Sequence, residues 1–378
     1  MEVIVIGAGI AGSVIARELA ERGKKEVLVI EKRKHIGGNC YDTYDEHGIL
    51  VHQYGPHIFH TSKERVQEYL SRFTEWYSFR HEVVARVGGQ LIPVPFNLNT
   101  LHMVFPKEAD QIEQMLIMEY GEGARVPILT LQKNENPLIR KVASYVYENI
   151  FLKYTMKQWG QTPKEIDPAV TARVPVVISR DNGYFSDKYQ GMPKHGYTKM
   201  FEQMLDHENI KVDLGVDARE HLRLEKGKIY FDGKLFEGDV IYTGAIDEFF
   251  DYQYGALPYR SLEFSFEYFE QPDFQGHSVV NYTVDEDYTR ITEFKHLTGQ
   301  QSEGTTIVKE YPRSYEQGKG LLPYYAINNE KNADLYEKYR QHAKEAEHFY
   351  LLGRLAEYKY YNIDGMAERA LQLADQLI

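Results

Sequence analysis

Residues 1–39 read MEVIVIGAGIAGSVIARELAERGKKEVLVIEKRKHIGGN, and the reading of this stretch decides the fold. Met1 to Ile6 is short, continuous and β-branched, the pattern of a buried parallel strand. Gly12 to Arg22 reads as a helix, with Gly23 as its C-terminal stop. Val27 to Ile30 reads as a second buried strand that ends in Glu31. Gly7, Gly9 and Gly12 form G-x-G-x-x-G between strand and helix. Alone, that motif is a weak signal. With a strand before it, a helix after it and an acid ending the next strand, it has the context of a dinucleotide-binding βαβ unit. The glycines permit a tight turn and let the backbone approach a pyrophosphate, toward which the helix N-terminus points its N–H donors. The carboxylate of Glu31 would accept from ribose hydroxyls, and its charge disfavours a 2′-phosphate.

Gly37, Gly38 and Asn39 continue the motif. A glycine pair just after the ribose acid resembles FAD enzymes of the amine-oxidase and reductase kind. The placement of the motif at the start of the chain agrees, so FAD is expected rather than NAD. The cofactor set expected from this stretch is Gly7, Gly9, Ala11, Gly12, Glu31, Lys32, Gly38 and Asn39.

The rest of the composition narrows the function. With 378 residues, the chain is long enough for two or three domains. Apolar residues make up 43% and charged residues 26%, ordinary for a soluble globular protein. No apolar run reaches the ~18–20 residues of a membrane span. The opening apolar stretch lacks a basic leader and is broken by glycines, so it does not read as a signal peptide. Cys40 is the only cysteine, which excludes an intrachain disulfide and favours a reducing, cytoplasmic setting. A net charge of −12 argues against a nucleic-acid groove. Small anions remain possible ligands through a few arginines. Thirty tyrosines against eighteen phenylalanines suit sugar and base contacts, or simply half-buried sheet.

Further along, Ser62 to Phe73 reads as a helix with Ser62 as N-cap. Val83 to Val94 reads as a hairpin, Thr100 to Gln158 as broken helix and Tyr197 to Leu205 as a helix. Val212 to Tyr242 and residues 260–312 alternate as strands. Ala333 to Glu347 reads as a charged helix, and a strand, a turn and a helix from near Asp364 end the chain. The α/β pattern at both ends suggests a discontinuous nucleotide-binding domain carrying two insertions. The fold class expected is α/β, α+β overall: a Rossmann-like FAD-binding domain, an inserted helical domain and an antiparallel sheet domain. The boundaries expected are 1–78, 196–246 and 317–378 for the FAD domain, 97–158 for the helical domain, and 79–96, 159–195 and 247–316 for the sheet domain.

Several clusters remain ambiguous as residues alone. His57 and His60 in "YGPHIFHT" lack the further ligands that a metal site needs, so no metal is expected. "IFLKYTMKQWG" is an amphipathic helix end or an aromatic wall for a flat ring. Arg173 and Arg290 are edge residues or anion clamps. "GRLAEYKYYNID", residues 353–364, is ordinary sheet or an anion site.

These blocks assemble into a pattern that resembles the bacterial UDP-galactopyranose mutases over essentially the full length. The resemblance rests on "GAGIAG", "EKRKHIGGN", "YGPHIFHT", "PFNLNT", "YTMKQWG", "RVPV", "GYFSDKYQGMPKHGYT", "YTRITEFKH", "PYYAINN" and "GRLAEYKYYNID". "KQWG" and "YFSDKYQG" are its most specific parts. It implies interconversion of UDP-galactopyranose and UDP-galactofuranose through a covalent adduct between the sugar and N5 of reduced flavin, without net redox change. FAD would act as FADH⁻, kept reduced by an external reductant such as NAD(P)H. The resemblance further implies UDP-galactose as substrate, a homodimer, and no nucleic-acid or membrane partner. Arg173 and Arg290 match the phosphate-binding arginines, and Tyr184, Tyr325 and Tyr360 the tyrosines that donate to the same phosphates. Phe151, Tyr154, Thr155 and Trp159 match the uridine and sugar-side wall, Phe185 the uracil end, and His60 a histidine at the sugar. Arg173, Arg290 and His60 are the expected catalytic residues. His81 stands where some members have Asn and is counted with the substrate-binding residues. His57, Gly353, Arg354, Asn362, Asp364 and Met366 complete the expected cofactor set. Asn362 stands where some members carry Asp, and whether Asp364, two residues on, serves instead is a question for the structure. Tyr358 and Tyr361 are expected to be packing residues on one strand with Tyr360. The competing readings are an FAD amine or porphyrinogen-type oxidase and a non-enzymatic binding protein of the same fold.

Overall fold

The computed structural model describes residues 1–159 and 175–378, and they form two compact units. The first comprises Met1–Ser78, Asp187–Ser261 and Tyr315–Ile378; the second comprises Phe79–Ser186 and Leu262–Ser314.

The first unit is built on the βαβ start. The strands Val3–Ile6 and Val27–Glu31 run parallel in register, Val3 opposite Val27. The helix between them, Ile10–Glu21, begins two residues before the expected Gly12. Three distant strands complete a five-stranded parallel sheet in the order Ile210–Leu214, Val27–Glu31, Val3–Ile6, Asp239–Tyr242, Phe349–Leu351. The two central strands are buried at every position, which is why they read as continuous apolar runs rather than alternating ones. The last helix, Ile363–Leu377, packs against the first. A small antiparallel sheet sets Tyr189–Pro193 between Phe59–Thr61 and Trp76–Ser78.

Ser62 does not cap the second helix. That helix spans Glu64–Ser71, and the Ser62 hydroxyl donates to Asp187 instead. The tyrosines of residues 353–364 are not on a strand either. Gly353 at φ +115° and Tyr358 at φ +46° turn the backbone out of the extended region after Phe349–Leu351. Tyr358 nevertheless packs as expected. It is buried, lies face to face with Tyr336, and donates to the carbonyl of Pro258.

In the second unit, the helices Leu98–Val104, Ala109–Tyr120, Ile128–Gln132 and Pro137–Val146 bury one apolar face each around Leu101, Ile112, Leu116, Ile139 and Val142. Asn97 and Asn136 cap the first and last of these, accepting from Thr100 N and Leu138 N. A π-helical turn, Tyr147–Leu152, leads into the helix Lys153–Trp159. The sheet of this unit pairs Arg290–Glu293 antiparallel with both Val279–Tyr282 and Thr305–Ser314. Val279–Tyr282 runs parallel to Val83–Val87.

Candidate active site

A cleft of 510 Å³ opens in the first unit at the C-terminal end of its parallel sheet. That volume lies within the range of cofactor sites. Gly7, Gly9, Ala11, Glu31, Lys32, Gly38, Asn39, His57, Gly353, Arg354, Asn362 and Met366 all line it. Its floor is bare backbone. Gly38 sits at φ +56°, and a Cβ there would stand 2.8 Å from the Cα of Gly9. A Cβ on Gly7 would stand 2.1 Å from Thr243 Oγ1. Such a glycine floor lets backbone N–H groups approach a flat or anionic group closely. Glu31 Oε2 accepts from Ala8 N and Oε1 from Arg33 N, both at 2.8 Å, so the carboxylate is held at the strand end where a ribose would lie. Lys32 pairs with Asp217 and Glu248 at the same end. Hydrogen bonding to Arg219 holds the Asp217 carboxyl well below its usual range.

The opposite wall comes from the end of the chain. Asn362, Ile363 and Met366 bring the N-terminus of the last helix to the cleft, and no side chain among the described residues caps that terminus. Its positive dipole end therefore faces whatever occupies this wall. Arg354 donates to the carbonyl of Tyr361 at 2.6 Å, and its guanidinium lies 4.7 Å from the ring centre of Tyr360. Tyr325 and Tyr360 stand 6.0 Å apart, and Tyr360 is 45% exposed. Cys40 lines the cleft too, and burial pushes its thiol up to about 12, which makes it a poor nucleophile. His60 belongs to this unit; its Nδ1 lies 2.8 Å from Asp187 Oδ2.

The second unit gathers other expected residues. Tyr184 N donates to the carbonyl of His81 at 2.8 Å, and the rings of Tyr184 and Phe185 each lie 5.5 Å from His81. Arg290 makes a two-pronged pair with Glu310, Nε to Oε1 at 2.7 Å and Nη2 to Oε2 at 2.8 Å. Glu310 is only 2% exposed, so its position is fixed, and it fixes the guanidinium plane in turn. Lys157 donates to the carbonyls of Tyr282 and Glu286 and so pins the turn that leads to Arg290. Phe151, on the π-helical turn, is 2% exposed and packs in the core of this unit; Thr155 is buried as well.

Comparison with known proteins assigns the chain. A family model described as UDP-galactopyranose mutase matches residues 149–360, and one described as an NAD(P)-binding Rossmann-like domain matches residues 5–73. A protein of Klebsiella pneumoniae named a probable UDP-galactopyranose mutase is 40% identical over 380 residues, covering 100% of this chain and 94% of its own. The chain belongs to the UDP-galactopyranose mutase family. With it, the protein is an isomerase. A dTDP-fucopyranose mutase of Escherichia coli is 38% identical over 384 residues, covering 100% of this chain and 98% of its own. Among solved structures, a reduced UDP-galactopyranose mutase superposes with a TM-score of 0.75 at 16% identity, covering 100% of this chain and 93% of the other. That likeness shows the fold alone. A protein of Exiguobacterium named a putative protoporphyrinogen oxidase matches less well, with a TM-score of 0.63 at 13% identity over 99% of this chain and 98% of the other.

Within this family fold, two expected cofactor residues stand off the cleft. Gly12 is needed for packing: a Cβ there would lie 1.8 Å from the carbonyl oxygen of Gly7. Asp364 turns to Thr61, which donates to it at 3.2 Å, and to Lys63 at 3.8 Å. Asn362 lines the cleft and Asp364 does not. Arg173 lies outside the described residues, as does the side chain of Trp159. The sequence reading missed Thr243, Tyr242, Arg219 and Glu248, which line the cleft from the strand Asp239–Tyr242 and beyond. The only signal for them is the small-residue run Thr243-Gly244-Ala245 after an apolar strand.

Proposed function

We propose that this protein interconverts UDP-galactopyranose and UDP-galactofuranose with FAD held in the cleft of its first unit. The observation that supports this best is full-length likeness to named mutases in a chain whose cleft has the glycine floor and ribose acid of a dinucleotide site. When bound as FADH⁻, the flavin would supply the nucleophile, N5, that takes the sugar from UDP as a covalent adduct and gives it back without net redox change.

The residues of the chain do the rest. Gly7, Gly9 and Gly38 admit the cofactor pyrophosphate, and Glu31 holds the ribose. The last helix directs its N-terminus at the cofactor, favouring the negative charge that reduction brings. Arg290, oriented by Glu310, holds the UDP diphosphate, with Arg173 as its expected counterpart. Tyr184, Tyr325 and Tyr360 are the tyrosines that the resemblance assigns to phosphate, and a phenol donates without adding a full charge, which suits a leaving group that must return. His60, fixed through Nδ1 by Asp187, acts at the sugar. An external reductant such as NAD(P)H keeps the flavin active, and the working form is a cytoplasmic homodimer.

The test is anaerobic incubation of dithionite-reduced protein with UDP-galactofuranose, in parallel with dTDP-fucofuranose, followed by chromatography. UDP-galactopyranose is the expected product. Faster conversion of the dTDP sugar would move the substrate to the class named for the Escherichia coli relative. No conversion of either sugar while reduced FAD is bound would refute the mutase reading.

A further inference from the structure

Asp273, Glu293 and His296 converge in the second unit, with one ligand atom of each within 4.8 Å of the others. His296 Nε2 lies 3.2 Å from Asp273 Oδ2 and 3.5 Å from Glu293 Oε2. Zinc bonds of ~2.0–2.2 Å to imidazole and carboxylate place tetrahedral ligand atoms about 3.4 Å apart. The observed separations bracket that spacing.

The remaining valences of the carboxylates are spent on backbone and hydroxyl donors. Glu293 is 0% exposed; its Oε1 accepts from Phe274 N at 2.9 Å and Thr305 Oγ1 at 2.7 Å, and its Oε2 from Gln275 N at 3.0 Å. Asp273 Oδ1 accepts from Gly276 N. These contacts hold Asp273 Oδ2 and Glu293 Oε2 toward the imidazole, as the outer hydrogen bonds of a metal site do.

Two further observations separate this cluster from an ordinary ion pair. His296 Nε2 is buried yet makes no hydrogen bond among the described residues, although two carboxylate oxygens are near. Gln275 Oε1, on the same turn, is a second buried atom without a partner, while its Nε2 donates to His277 O and Ile291 O.

We propose that Asp273, Glu293 and His296 form a divalent transition-metal site whose mixed imidazole and carboxylate ligands suit zinc. The ion would clip the turn 273–276 to the end of the strand Arg290–Glu293. It takes no part in the isomerisation.

The test uses the full-length, flavin-loaded protein, stripped with EDTA and titrated calorimetrically with zinc chloride, then with magnesium chloride. One zinc per chain is expected, and no magnesium. H296Q and D273N should each abolish the stoichiometric site. T305V keeps all three ligands and loses one bond to Glu293, so its zinc affinity should fall about 10–100-fold. Zinc should raise the melting temperature of the wild type and leave that of D273N unchanged. Asp273 is half-exposed, so D273N keeps the test open should H296Q fail to fold. The proposal is overturned if the wild type binds less than one zinc, or if H296Q, D273N and T305V bind it as the wild type does.

Discussion

Lowering the pH from 7.5 to 4 should destabilise the first unit through one buried ring. His52 is 1% exposed, and its Nδ1 accepts from the backbone N–H of His57, a cleft residue, at 3.1 Å. Nδ1 therefore needs a lone pair in the folded state, and burial pushes the imidazole from its ordinary 6.5 down to about 4. The unfolded chain protonates near 6.5 and the folded chain only near 4. Between these values the unfolded state binds more protons, so stability falls as the pH drops through this window and levels off below it. At ~1.4 kcal/mol per unit, two and a half units amount to about 3 kcal/mol. H52N keeps an acceptor near the position of Nδ1 and cannot titrate. Urea unfolding of both proteins, followed by circular dichroism from pH 7.5 to 4, removes by subtraction every titration they share. Buried Asp42, 4.0 Å from His52 Nε2, is among those shared groups. The wild type should lose about 3 kcal/mol relative to H52N across the window. A difference that does not change with pH would refute the reasoning.

Three further outcomes follow from geometry. G38A forces a side chain into left-handed backbone, at ~1–2 kcal/mol, and against the Cα of Gly9; FAD retained after gel filtration should drop at least ~10-fold with the far-ultraviolet spectrum unchanged. D187N removes a charged partner from His60 Nδ1, a contact of ~1.5–3 kcal/mol, so kcat/KM should fall about 10–100-fold while FAD content holds. E310Q frees the plane of Arg290, and UDP affinity measured by calorimetry should fall about 10-fold or more, with unchanged flavin absorbance.

What the sequence revealed, and what it concealed, divides by sequence distance. The βαβ start was legible because strand, turn, helix and Glu31 lie within about thirty residues, a range in which periodicity and glycines speak directly. The cleft wall from Gly353 to Met366 was legible only through resemblance. Thr243 escaped notice because its position beside Gly7 depends on pairing between Ile6 and Tyr242, more than two hundred residues apart. Ser62 was misread as a cap because a side-chain hydroxyl serves a remote acceptor, Asp187, as readily as a local N–H. The tyrosines near the end read as strand from their β-propensity, yet packing of Tyr358 on Tyr336 fixed a turn instead.

The parallel sheet draws its strands from residues 3–6, 27–31, 210–214, 239–242 and 349–351, and its first helix waits for the last one. During synthesis the first unit therefore remains open until the strand Phe349–Leu351 and the helix Ile363–Leu377 have left the ribosome. The second unit, whose segments end at Ser314, emerges in full before that and can settle first. A chain cut before Gly353 would carry the glycine floor but lack the opposite wall.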